Sequence, residues 1–224
     1  MKENHILIGL GGTGGKVLKA FRKRLYQEYN DDERAKLPIA FLYVDSSTEE
    51  MMPGDKTWYV LGKNAQFTAN EFVNVKGVDI KSILANPKNY PGLKGLIGDG
   101  EVMAKTIGEV GAAAAQKRRA GRILFGSSVE NYKNALLGAY NRVNKITHAE
   151  RTNIYIFTGL AGGTGSGSII DVISQTRMMP QFQDMLSMDG KTGTSIVVNA
   201  MVPEITPPGK SDAGKYHANG YAAL

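Results

Sequence analysis

Apolar residues fall into short unbroken runs separated by stretches of helical period. His5-Ile6-Leu7-Ile8 is the first run and reads as a buried strand. Behind it Val17, Leu18, Phe21 and Leu25 recur at helical spacing, with basic residues between them. Polar residues from Asn30 to Pro38 break that helix, and Ile39 to Val44 is a second buried strand. The pattern weakens from residue 49 to residue 110. There Trp58 to Leu61 reads as a short strand, and Val78 to Leu84 as a short helix stopped by Asn86-Pro87. Pro91, Gly92, Gly95, Gly98 and Gly100 mark loops. After Arg122, residues Val129, Tyr132, Leu136, Tyr140 and Val143 keep one face of a long helix apolar. The two tyrosines in that row read as packing residues. Thr152 to Phe157 is a third strand, Ile169 to Ile173 a helix, and Thr194 to Val202 a fourth strand. A loop from Pro203 to Gly209 and a helix start near Lys215 follow.

Strands alternating with helices predict an α/β fold. The expected form is a Rossmann-like three-layer parallel sheet with helices on both faces and right-handed crossovers. A single domain over residues 1–224 is expected. Ligands of such sheets sit at the carboxyl ends of the strands. Two glycine-rich stretches lie there. Gly9-Leu10-Gly11-Gly12-Thr13-Gly14-Gly15-Lys16 follows the first strand, and Gly159-Leu160-Ala161-Gly162-Gly163-Thr164-Gly165-Ser166-Gly167-Ser168 follows the third. A strand, a glycine turn and a helix start make an anion site, because the first helical N–H groups have no partner within the helix. Thr164, Ser166 and Ser168 add hydroxyl donors.

The first stretch fits G-x-G-x-x-G through Gly9, Gly11 and Gly14, a pattern of low specificity. It is not a P-loop, because Leu10 and Val17 stand where that motif needs Gly and Ser or Thr. Asp45, at the end of the second strand, suits a ribose hydroxyl or a hydrated metal, or simply caps a turn. It lies farther from Gly14 than the roughly 20 residues usual in dinucleotide-binding folds. Gly111 to Arg122, rich in alanine and then in basic residues, reads as a helix start or as a close-approach loop that suits an anion.

Composition narrows the picture. There is no cysteine, which excludes disulfides and thiolate chemistry and fits a reducing cytoplasm, the expected location. No run is long enough to span a bilayer, and the amino terminus is not a signal peptide. His5, His148 and His217 show no ligand spacing. The net charge is +6, with basic clusters at residues 16–24 and 117–122. Solvated helix faces near a phosphate site explain them better than nucleic acid, since aromatic residues are not interleaved as in a single-strand-binding groove, and Phe21, the one within the clusters, sits in the apolar helical row.

The first glycine turn, Asp45, and Leu160 to Gly167 together resemble the tubulin/FtsZ superfamily, and most of all its bacterial tubulin-like members. The second turn is similar to the G-G-G-T-G-S-G signature, with Ala161 for its first glycine. The resemblance implies a guanine-nucleotide-binding cytoskeletal GTPase that uses GTP, GDP and Mg²⁺ and self-associates head to tail into filaments when full length. It implies that Gly11, Gly12, Thr13, Gly14 and Lys16 meet the α- and β-phosphates, where many members carry Asn or Gln at the Lys16 place. Asp45 and Ser46 would lie near the γ-phosphate and Mg²⁺. Ala114, Ala115 and Gln116 would form a variant γ-phosphate loop, and Gly162, Gly163, Thr164, Gly165 and Ser166 would wrap the phosphates. Lys215 and Asn219 would approach the ribose.

In the family a long central helix that reads guanine, a loop bringing acids to the next subunit's nucleotide, and a second domain come later in the chain. None is found here, so the chain is expected to be a fragment or a truncated relative. It should hold the phosphate side of the site, and hydrolysis by it alone should be very slow. Two other readings stay open: a Rossmann-type NAD-dependent or adenylating enzyme, and a scaffold of the same fold that binds no nucleotide, for which Ala114-Ala115 leaves room.

Overall fold

The computed structural model describes residues 3–76, 79–108, 114, 116–205 and 216–224. Gly111 to Ala113, Ala115 and Lys215, singled out above, lie outside the described residues. The strands are β1 (Asn4–Leu10), β2 (Ile39–Asp45), β3 (Tyr59–Val60), β4 (Lys63–Asn64), β5 (Phe72–Asn74), β6 (Arg151–Gly159) and β7 (Gly193–Met201). The helices are α1 (Gly11–Glu28), α2 (Asp31–Lys36), α3 (Ile80–Ala85), α4 (Lys94–Ile97), α5 (Gly100–Ile107), α6 (Arg118–Ser127), α7 (Val129–Thr147), α8 (Thr164–Arg177) and α9 (Tyr216–Ala223).

Five strands form one parallel sheet in the order β5-β2-β1-β6-β7. Successive side chains of a strand point to opposite faces, and the core divides accordingly. Ile6, Ile8, Leu10, Leu42, Val44, Ile154 and Ile156 face a layer built from α3, α6, α7 and α8. Leu7, Phe41, Tyr43, Tyr155 and Phe157 face α1 and the segment carrying Trp58 and Phe67. Hence the three layers. Full burial of a side chain such as Ile8 or Leu42 contributes about 1.5–3 kcal/mol.

The structure corrects several expectations. Residues 30–38 do break α1, yet Asp31–Lys36 is itself a helix, because Asn30 and Glu33 form a reciprocal capping box. Pro91 to Gly100 is not all loop. It contains α4 and leads into α5, which starts where Asp99 caps Glu101 and Val102. The long helix after Arg122 is two helices, α6 and α7, meeting at Ser128, whose backbone is not helical. Both glycine stretches are shorter as loops than expected, since α1 begins at Gly11 and α8 at Thr164.

The basic face of α1 is largely paired. Lys19 meets Glu50 at 3.0 Å and Asp55 at 3.4 Å, and Arg22 meets Glu71 at 2.6 Å. These pairs fasten the 49–71 segment to α1. On α6, Arg122 grips Asp171 of α8 through two nitrogens, and Arg118 Nε donates to the Ser166 carbonyl at 3.0 Å. That cluster joins two helices, where the sequence suggested an anion.

Candidate functional site

Strand order reverses between β1 and β6. From β1 the chain crosses to β2 on one side, and from β6 to β7 on the other. The connections leaving the two strands therefore run to opposite faces of the sheet and leave a crevice at the paired carboxyl ends. Its volume is about 530 Å³. Leu10 and Thr158 are register partners, so the turns that follow start side by side. Gly11 has φ +66°, and a Cβ on it would sit 3.0 Å from the Gly165 backbone nitrogen. Glycine takes that backbone without strain and leaves room for that contact.

Two helices point their amino ends into the crevice. The residue before α1 is Leu10 and the residue before α8 is Gly163. Neither supplies a side-chain cap, and neither first turn carries an acid. By contrast α2, α3 and α5 are capped by Asn30, Asp79 and Asp99. Uncapped N–H groups and the positive end of the helix dipole are what an anion needs.

The structure brings together most of the residues singled out. Gly11, Gly12, Thr13 and Lys16 line one wall, Asp45 and Ser46 the floor, and Gly162, Gly163, Thr164 and Gly165 the other wall, with Ala114 and Gln116 alongside. Gly14, Ser166 and Asn219 do not line it. Gly14 lets α1 pass close over the Phe157 carbonyl. The Ser166 hydroxyl donates to the Gly162 carbonyl at 2.6 Å. Asn219 Nδ2 donates to the carbonyls of Gln116 at 2.6 Å and Ala161 at 3.0 Å. It straps α9 to two loops, so its amide hydrogens are already engaged.

Asp45 is buried, and both its oxygens are occupied. Oδ1 accepts from the Ser46 N–H at 2.7 Å, and Oδ2 accepts from the Tyr43 hydroxyl at 2.7 Å. Burial, reinforced by the neighbouring carboxylate, pushes the Tyr43 hydroxyl well above its ordinary pKa, so it remains a donor. Ser46 Oγ lies 2.8 Å from Thr164 Oγ1 and accepts from the Ala114 N–H at 3.1 Å. One hydroxyl thus ties β2 to the second glycine turn and to the Ala114 loop. That loop packs on Gly163, whose added Cβ would lie 2.8 Å from Ala114 Cβ and 2.9 Å from the Lys117 nitrogen.

Sequence reasoning missed Tyr43, Ser47, Glu49 and Glu50 as lining residues. The signal for Tyr43 was its place two residues before Asp45 on the same face of β2. Among the described residues no cluster of three or more metal-ligating side chains exists. The donor set, with Asp45 on the floor and Glu49 on the rim, fits a Mg²⁺ carried on phosphates with one or two carboxylates and water, and does not fit an all-protein cage. No described helix is long and apolar enough to cross a membrane.

Among solved structures the chain is similar to the GDP-bound monomer of CetZ1 from Haloferax volcanii, at 18% identity and a TM-score of 0.47. That match covers 100% of this chain and 46% of the other, so the chain spans about half the length of CetZ1. No curated protein matches. A family model described as tubulin-like matches residues 6–224, nearly the whole sequence, and the chain therefore belongs to the tubulin-like family.

Proposed function

We propose that the chain is the guanine-nucleotide-binding domain of a tubulin-like GTPase, with GTP or GDP and Mg²⁺ as ligands. The observation that carries the reading is the meeting of two uncapped helix ends and the buried Asp45 in one crevice at the reversal of strand order. Family membership supports guanine over other bases. In this reading Gly11, Gly12, Thr13 and Lys16 contact the α- and β-phosphates. Gly163, Thr164 and Gly165 close over the phosphate tail, helped by Gly162, while Gly14 and Ser166 hold the turns in shape. Asp45, through Ser46 and Thr164, sets the floor near the γ-phosphate and Mg²⁺. Ala114 and Gln116 belong to the neighbouring loop, which Asn219 braces, and Ala115 and Lys215, outside the described residues, are proposed as further nucleotide contacts.

Residues that read guanine and position the attacking water are proposed to belong to a longer form, which assembles head to tail. Such heterologous contacts make filaments when the rotation between subunits does not close a ring. The bacterial origin and cytoplasmic location suggested by the sequence belong to the same proposal.

The test is calorimetry of GTP, GDP, ATP and NAD, with Mg²⁺, on this chain and on Gly12→Val. An added Cβ at Gly12 meets nothing within 4 Å, so the variant folds and intrudes only on the crevice. GTP and GDP should bind the parent and lose at least tenfold in the variant. Preference for NAD or ATP, equal affinity in both proteins, or no binding of any nucleotide would overturn the reading.

A further inference from the structure

A second cavity, of about 750 Å³, lies away from the crevice, between β5 and α7. Among the described residues β5 is the outer strand of the sheet and has β2 as its one sheet partner. The Val75 N–H donates to the Asp45 carbonyl at 3.0 Å. Alternate residues of a parallel strand bond to the same neighbour, so Val73 and Val75 turn toward β2. Phe72 and Asn74 turn their N–H and C=O groups to the free side. Edge groups of this kind are a template for another strand.

Across the cavity stands one face of α7. Asn131, Asn134, Ala135, Gly138 and Arg142 follow each other at helical spacing. They are small or amide-bearing, apart from Arg142 at the end. A Cβ on Gly138 would meet nothing within 4 Å, so the middle of the groove is open. A strand edge on one side and a small-residue helix face on the other accept an extended chain, the arrangement of strand addition.

Charge fixes the direction. The Thr147 hydroxyl donates to Asn4, at the start of β1, and Arg142 Nη2 donates to the Ile39 carbonyl at 2.7 Å, at the start of β2. α7 thus runs antiparallel to the strands, and Arg142 lies toward the amino-terminal end of β5. Arg22, at the same end, is paired with Glu71. Its Nε is buried and, among the described residues, has no hydrogen-bond partner. Among the described residues Arg142 forms no ion pair. One guanidinium is left in excess, which attracts a carboxylate and repels an amino terminus.

We propose that the β5–α7 groove binds an extended peptide with a free carboxyl terminus, added antiparallel to β5 as a sixth strand, with its terminal carboxylate held by Arg142. Phe72 and Asn74 supply main-chain hydrogen bonds, and the Gly138 gap takes a side chain. The proposal is independent of the nucleotide reading.

A hexapeptide library displayed with free carboxyl termini, selected on the full chain, tests it. The best sequence is then synthesised as acid and as amide and titrated by fluorescence anisotropy. The acid should bind at least tenfold more tightly than the amide, and Arg142→Gln should remove that difference. Hydrogen exchange should slow at Phe72 and Asn74 on binding. Gly138→Leu should abolish binding while its melting temperature holds or rises, because a helical glycine has been replaced. Gly12→Val should bind the peptide normally. Failure to enrich any sequence over the Gly138→Leu background, equal binding of acid and amide, or full binding by Gly138→Leu would overturn the proposal.

Discussion

At the end of β1 the glycine turn leaves Gly12, Thr13 and Lys16 in solvent, whereas at the end of β6 every residue from Gly163 to Ile169 is buried. The compositions are alike and the uses differ. In the second turn the hydroxyls are committed inside the protein. Ser166 donates to Gly162, Ser168 donates to Thr164 at 2.8 Å, and Thr164 is shared with Ser46. The expected row of hydroxyl donors is mostly a set of internal braces. The first turn keeps its groups open. A ligand would therefore be gripped by a prepared wall on the β6 side and by accessible groups on the β1 side. Substitutions in the two turns should separate stability from affinity.

The sharpest way to break this contrast is Gly165→Val against Gly12→Val. A Cβ at Gly165 would lie 2.5 Å from Thr158 Oγ1 and 2.7 Å from the Leu10 carbonyl. Overpacking against backbone should cost about 3 kcal/mol of folding stability, read by urea unfolding. Gly12→Val should stay within about 0.5 kcal/mol of the parent. Equal destabilisation of both would mean that the turns are not differently built. Next in size is Ser46→Ala, which leaves the Ala114 N–H and the Thr164 hydroxyl without their shared partner. A loss of about 1–2 kcal/mol is expected, with faster amide exchange at Ala114. Ser166→Ala removes only a bond within its own helix end, and should cost under about 1 kcal/mol and leave nucleotide affinity unchanged. A large loss of affinity there would restore Ser166 as a direct donor.

These contrasts also mark what was legible in the sequence. The strands β1, β2, β6 and β7 were readable because parallel strands covered on both faces are continuous apolar runs, as in Ile39 to Val44. The convergence of both glycine turns with Asp45 was readable from strand ends alone. The segment from residue 49 to residue 107 was not. β5 is three residues long, and α4 and α5 are interrupted by glycines whose role as helix ends depends on local capping. The basic residues of α1 looked solvated because their partners, Glu50, Asp55 and Glu71, are distant in sequence and lie in the least patterned segment. For the same reason the Ser46–Thr164 pair could not be seen before folding placed β2 beside the second turn.

Lys16 sharpens the accessible side of the comparison. It is exposed on the crevice wall, so its attraction for phosphate is screened by salt. Lys16→Ala should weaken GTP binding about tenfold at low ionic strength and only a few-fold at 0.5 M salt. An affinity loss that did not respond to salt would place the lysine in a shielded contact, making the first turn as closed as the second.

The smallest expected effect lies at the opposite ends of the same strands, where His5 stacks against Tyr155 with ring centroids 6.2 Å apart. Partial burial lowers the His5 pKa below its ordinary value. Glu3 opposes that shift and Arg151 adds to it. The unfolded chain therefore takes up a proton at higher pH than the folded one. The stabilising contribution is fully present above the unfolded value of about 6.5 and falls away as the pH drops below it. Between pH 7.5 and 5.5 the parent should lose stability more steeply than His5→Phe, which keeps the stacked ring without a titrating nitrogen. Carboxylates and the remaining histidines are common to both proteins, so the difference between their urea-derived slopes isolates this ring. Identical slopes would show that Glu3 balances the burial, and that the amino-terminal ends of β1 and β6 carry no pH dependence of their own.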